Sequence, residues 1–123
     1  METIHGRLAL TAIMYALVMG IWAAWDYFRG KSVSSSYWGA LIIGELVMVG
    51  QGVLGIILVL SGRMPADVIH FLYGVLVTLS WPAAYVYTNA RAGRSEAAIY
   101  ALVSFFIFGL AIRALMTGGA LAP

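Results

Sequence analysis

Four apolar segments dominate the chain, and each is close to the roughly 20 residues that cross a bilayer as a helix. They run over residues 8–28, 39–60, 66–88 and 97–116 of a 123-residue chain. Only 10% of the residues are charged, against about 25% in soluble domains. The connections between segments are too short for a separate soluble catalytic domain. The sequence therefore predicts an all-α integral membrane protein, with residues 1–123 forming one domain in the lipid bilayer.

The short connections also predict how the four helices pack. Successive helices must be antiparallel neighbours, which gives an up-down-up-down four-helix bundle. We call side A the end that holds both termini and the 61–65 loop, and side B the end that holds the 29–38 and 89–95 loops. The short loops of side B contain Arg29, Lys31, Arg91 and Arg94. Because positive residues favour the cytoplasmic side, we expect both termini outside, in a bacterial or archaeal plasma membrane.

The composition excludes several kinds of site. The absence of cysteine excludes disulfides, iron–sulfur clusters and covalently attached c-type haem. The seven basic residues are spread along the chain, so no nucleic-acid-binding surface is predicted. No phosphate loop, zinc motif or hydrolase triad is present. No catalytic residue is predicted, and whether the protein is an enzyme stays open.

The two histidines of the chain are the candidate metal ligands. His5 and His70 each lie near the start of an odd-numbered helix, and therefore near side A. The first and third helices of such a bundle are diagonal to each other, so inward-pointing histidines would approach one cofactor from opposite sides. Neutral imidazole is a common axial ligand of haem iron. The pair predicts a haem b with bis-histidine ligation.

Small and basic residues near side A favour the same interpretation. Gly52, Gly55 and Gly74 could leave space for the edge of a flat ring. Three arginines near side A could pair with the haem propionates, because a guanidinium binds a carboxylate with two hydrogen bonds. They are Arg7, Arg63 and Arg113.

Two stretches of the chain resemble a known family. Residues 51–62, Gln-Gly-Val-Leu-Gly-Ile-Ile-Leu-Val-Leu-Ser-Gly, followed by Pro65 and Val68-Ile69-His70, resemble one four-helix bundle of the heme A synthase family. Glu2-Thr3-Ile4-His5 resembles the glutamate-x-x-histidine start of that family's other ligand helix. The resemblance implies that both histidines are axial ligands and that Glu2 matches the acidic residue before the first of them. Family members carry two fused bundles whereas this chain has one, and their basic residue directly after the first histidine is displaced here to Arg7.

Two polar side chains lie inside the second apolar segment. Glu45 suggests function by its position, since an ionised carboxylate is costly in a bilayer. The candidate roles of Glu45 are proton uptake, contact with a quinone headgroup, or a hydrogen bond to Tyr85 or Tyr87. Gln51 could bond a ligand edge or a neighbouring helix.

The sequence thus predicts a membrane cytochrome b-like protein that transfers single electrons, with quinol or a redox protein as partner. Two alternatives stay open. One is a non-catalytic accessory subunit of a larger respiratory or photosynthetic membrane complex. The other is a haem-modifying enzyme like heme A synthase that acts as a homo-oligomer.

Overall fold

The protein is built from four α-helices, seen in a computed structural model that describes residues 2–119. They are α1 (Glu2–Phe28), α2 (Ser35–Leu60), α3 (His70–Tyr87) and α4 (Arg94–Thr117). Within this range there is no β-strand. Three of the helices, α1, α2 and α4, are long and apolar enough to cross a membrane. The predicted all-α membrane fold is confirmed.

The helices pack as the short connections predict. α1 contacts α2 and α4, and α3 contacts the same two helices, so α1 and α3 lie diagonally across the bundle. Contacts pair the start of one helix with the end of its neighbour: the Tyr37 hydroxyl of α2 donates to the Met19 carbonyl of α1 at 3.1 Å. The α1–α4 interface is the largest and the α2–α3 interface the smallest.

The third helix starts later than the predicted span 66–88. Asp67 Oδ1 accepts a hydrogen bond from Ile69 N at 3.1 Å, and Asp67 N donates to the Thr117 carbonyl at 2.9 Å. These bonds hold residues 67–69 in a turn attached to α4, so the helix begins at His70. By contrast α1 begins at Glu2, before the apolar segment that predicted it.

The core combines small residues on α1 with large aromatic residues elsewhere. Ala12 and Ala16 are 3% and 0% exposed, so they belong to the packed interior. Trp81, Tyr37 and Tyr100 are almost fully buried. Trp81 of α3 donates its indole N–H to Ser104 Oγ of α4 at 3.0 Å, and Ser104 is itself fully buried. This bond links the two helices inside the apolar core.

Replacing Ser104 should therefore destabilise the bundle. We expect Ser104→Ala to lower the free energy of unfolding by about 1–3 kcal/mol, because it leaves the buried Trp81 N–H without an acceptor. Unfolding in mixed micelles of mild detergent and SDS measures the loss. Ser61→Ala is the matched control, since that hydroxyl is exposed at the end of α2. Equal stability of the two variants would contradict the expectation.

Candidate histidine site

The rings of the two histidines face each other across the bundle. The ring centroids of His5 and His70 lie 6.3 Å apart, with an angle of 74° between the ring planes. Both side chains are partly buried. Since α1 and α3 are diagonal, the two imidazoles approach from opposite corners. We call them the histidine pair.

α4 holds His70 in place. His70 Nδ1 lies 2.7 Å from the Ala114 carbonyl oxygen, which can only accept, so Nδ1 carries the proton of this hydrogen bond. A Cβ on Gly118 would lie only 2.9 Å from His70 Cε1, so a glycine is needed beside the ring. The bond at Nδ1 selects the neutral tautomer in which Nε2 keeps its lone pair. His70 is thereby prepared to bind a metal through Nε2.

α2 holds His5 in place. Gln51 Nε2 donates to the His5 backbone carbonyl at 2.8 Å. A Cβ on Gly55 would come within 3.5 Å of His5 Cε1, which is ordinary van der Waals contact, so α2 approaches the ring closely at this glycine. His5 Nδ1 and Gln51 Oε1 are buried without a hydrogen-bond partner among residues 2–119.

The separation of the rings suits one shared metal ion. An imidazole nitrogen binds a transition metal at about 2.0 Å and lies about 1.2 Å from its ring centre, so two imidazoles on opposite sides of one ion have centroids roughly 6.4 Å apart. The observed centroid distance is 6.3 Å. The angle between the planes is compatible, because each imidazole can rotate about its metal–nitrogen bond.

Small residues surround the pair on the two remaining helices. A flat ring between α1 and α3 would point its edges toward α2 and α4, where Gly55, Ala114 and Gly118 lie at the histidines. A Cβ on Gly74 would meet nothing within 4 Å. A Cβ on Gly52 would lie 3.8 Å from the Thr78 hydroxyl. Gly52 therefore lies at the α2–α3 contact, the smallest in the bundle.

Two open grooves of about 490 and 400 Å³ lie elsewhere. The larger follows α1 from Leu10 to Trp22, and the smaller lies between α3 and α4 near Tyr87. Both are lined mainly by apolar side chains and neither contains a histidine. Neither groove lies between the two histidines, so a flat ring bound there would need the helices around the pair to move apart.

The three arginines predicted near side A lie in different surroundings in the structure. Arg113 immediately precedes Ala114, and its guanidinium carbon lies 5.8 Å from the centre of the Tyr73 ring. Arg63 is exposed in the loop after α2, on side A. Arg7 lies two residues after His5, roughly 200° around the helix, and is exposed on the outer face of α1. All three arginines lie toward side A, and Arg7 differs in its position around α1 relative to His5.

Several residues of the site were missed by reasoning from the sequence. Thr117 Oγ1 lies 3.4 Å from His70 Nδ1, next to the bond with Ala114. A signal for this face does exist in the sequence, because Ala111, Ala114 and Gly118 are small residues at helical spacing on α4.

Glu45 does not belong to the histidine site. It lies six residues before Gln51 on α2, about 9 Å along the helix axis. Its Oε1 is buried without a hydrogen-bond partner in the described part of the chain. The candidate hydrogen bond to Tyr85 or Tyr87 is absent there, and Tyr85 packs against Trp38 instead.

Searches of family models, curated proteins and solved structures give no match to this chain. The function is therefore argued from the geometry of the site.

Proposed function

We propose that this protein is a membrane cytochrome that binds haem b between His5 and His70. The observation that carries the proposal is the opposition of two partly buried imidazoles, from diagonal helices, with 6.3 Å between their centroids. The hydrogen bond from His70 Nδ1 to the Ala114 carbonyl supports it, since metal-binding histidines usually donate their second ring nitrogen to such an acceptor. The resemblance of the two histidine segments to the heme A synthase family also favours a haem site.

The number of protein ligands favours haem over a bare metal ion. Among the side chains that the structure describes, those of residues 3–119, there is no cluster of three or more histidine, cysteine or acidic groups that could hold a metal. A structural zinc ion needs four ligands and a catalytic one needs three from the protein. Two imidazoles are enough only when the remaining ligands of the metal come from a cofactor, such as the porphyrin of a haem. The pair therefore fits the axial positions of a haem.

Bis-histidine ligation favours electron transfer over oxygen chemistry. Haem supplies reversible one-electron oxidation and reduction when bound. His5 and His70 would fill both axial positions and so exclude oxygen from the iron. The apolar helices around the pair would exclude water and leave the lipid phase as one route for a partner. Quinol is the proposed donor, and a plasma membrane with both termini outside is the proposed location.

The absorption spectrum of the purified protein tests the proposal. We expect protein purified in mild detergent from haem-sufficient cells to contain one haem per chain and to give a reduced-minus-oxidised spectrum with sharp b-type bands. Folded protein that stays colourless after addition of hemin would overturn it. Two imidazoles in edge-to-face contact also lie about 4.5–7 Å apart, and a colourless protein would assign the pair to that packing role.

The outcomes also separate the two alternatives. An accessory subunit of a larger membrane complex would be colourless and would copurify with that complex. A haem-modifying enzyme would release a haem with an altered side chain, which mass spectrometry of the extracted pigment detects. Unmodified haem b in the extract supports the electron-transfer proposal.

A further inference from the structure

Gln51 is the polar side chain of α2 that contacts the first histidine. Its Nε2 donates to the backbone carbonyl of His5 at 2.8 Å. This bond joins α2 to the first turns of α1 and holds the amide against the His5 residue. The Gln51 side chain also lies beside the imidazole ring.

Two buried atoms in this contact lack a partner within residues 2–119. They are Oε1 of Gln51 and Nδ1 of His5. An amide oxygen accepts hydrogen bonds, and the Nδ1 of a neutral imidazole donates one in one of its two tautomers. Buried polar atoms are nearly always paired, and these two atoms complement each other on side chains already in contact. A hydrogen bond between them would satisfy both atoms.

The second histidine already has an equivalent bond. His70 Nδ1 lies 2.7 Å from the Ala114 carbonyl, which leaves its Nε2 free. If His5 were held in the same way, Nε2 of both rings would keep its lone pair. Histidines that bind metals usually have this arrangement, since the second ring nitrogen fixes the tautomer and the orientation.

We propose that Gln51 is the positioning residue of His5: its Oε1 accepts a hydrogen bond from Nδ1–H and selects the tautomer in which Nε2 keeps its lone pair. The effect on haem rests on the proposed function. The hydrogen bond itself does not, because it lies within the protein.

Histidine ¹⁵N NMR of the haem-free protein tests the hydrogen bond directly. With only two histidines in the chain, the His70→Ala variant assigns the signals. We expect neutral His5 to carry its proton on Nδ1 in the unaltered protein and in Gln51→Glu, which keeps an acceptor. In Gln51→Met, which has similar length and no acceptor, the Nε2–H tautomer should become populated. A tautomer unchanged between the unaltered protein and Gln51→Met would overturn the proposal.

The reduction potential of the haem-loaded protein tests the consequence. A hydrogen bond from Nδ1–H to an acceptor makes the ligand more basic and favours oxidised iron. We expect a more positive potential in Gln51→Met and a more negative one in Gln51→Glu. Ser80→Ala is the matched control, because Ser80 lies ten residues after His70 on α3 and its partly buried hydroxyl donates to the Leu76 carbonyl, so its loss should leave the potential unchanged. Equal potentials in both Gln51 variants would refute the positioning role.

The NMR and potential measurements distinguish failure of the haem proposal from failure of the Gln51 proposal. If the protein never binds haem, the proposed function is wrong while the NMR result still decides whether Gln51 fixes the His5 tautomer. If haem binds but Gln51→Met changes neither tautomer nor potential, the role of Gln51 is wrong and the haem site stands.

Discussion

His5→Ala and His70→Ala should each abolish the b-type absorption bands of the purified protein. The two rings come from diagonal helices, so each substitution removes the ligand on one side of the pair. No other histidine or cysteine exists in the chain. We expect haem content to fall at least tenfold in each variant, which corresponds to a loss of about 1.4 kcal/mol or more in binding free energy. Titration with hemin, followed at the Soret band, measures the loss.

Arg7→Ala provides the control on the same helix. Arg7 lies on the outer face of α1, on the opposite side from His5, and should not contribute to the site. We expect its spectrum and haem content to match those of the unaltered protein. Retained bands in His5→Ala or in His70→Ala would contradict bis-histidine ligation. Loss of haem in Arg7→Ala would instead support the earlier prediction that this arginine pairs with a propionate.

Gly44→Val should destabilise the bundle far more than Gly50→Val. Both glycines lie in the middle of α2. A Cβ on Gly44 would lie 2.6 Å from Tyr15 Cε1 and 2.9 Å from Trp81 Cζ3, whereas one on Gly50 would meet nothing within 4 Å. Overpacking of this kind costs about 1–3 kcal/mol, and the two ring neighbours are themselves packed in the core, so we expect the upper end of that range.

Unfolding of the two variants in the same detergent mixture measures the difference. Because the substitution and the helix are identical, helix propensity cancels in the comparison. Tyr15 also donates to the Ala40 carbonyl of α2, a bond that Gly44→Val should disturb. Gly50→Val should stay within about 0.5 kcal/mol of the unaltered protein. Similar unfolding midpoints for both variants would contradict the close packing of α2 against Tyr15 and Trp81.

The helices were predictable from the sequence because bilayer thickness fixes the length of an apolar segment. The diagonal placement of the two histidines followed from short connections, since they leave one way to order four helices. The start of α3 was not predictable from apolarity, because Val68 and Ile69 are apolar yet belong to a turn. That turn depends on the bond between Asp67 and Thr117, which are distant in the sequence.

The site was predictable only in part. The helical period already separates Arg7 from His5, so the outward direction of Arg7 could have been deduced from spacing alone. The contribution of α4 could not have been deduced from the sequence. Ala114 acts through its backbone carbonyl, and every residue has a backbone carbonyl. Ala12 and Ala16, small residues that follow His5 on α1, are buried by protein side chains in the folded protein. Small residues indicate close approach, and they do not distinguish a ligand from another helix.

The unequal lengths of the helices have a consequence for the surrounding lipid. With 18 residues α3 extends about 27 Å, slightly less than the hydrocarbon thickness of about 30 Å, whereas α2, with 26 residues, extends about 39 Å. Bilayers adapt to a short element by thinning beside it. Because His70 is the first residue of α3, we expect the headgroup layer to dip toward this flank and to bring water nearer to His70 than a uniform bilayer would. Polar molecules in the aqueous phase would then reach His70 more easily from the α3 side than from elsewhere along the perimeter.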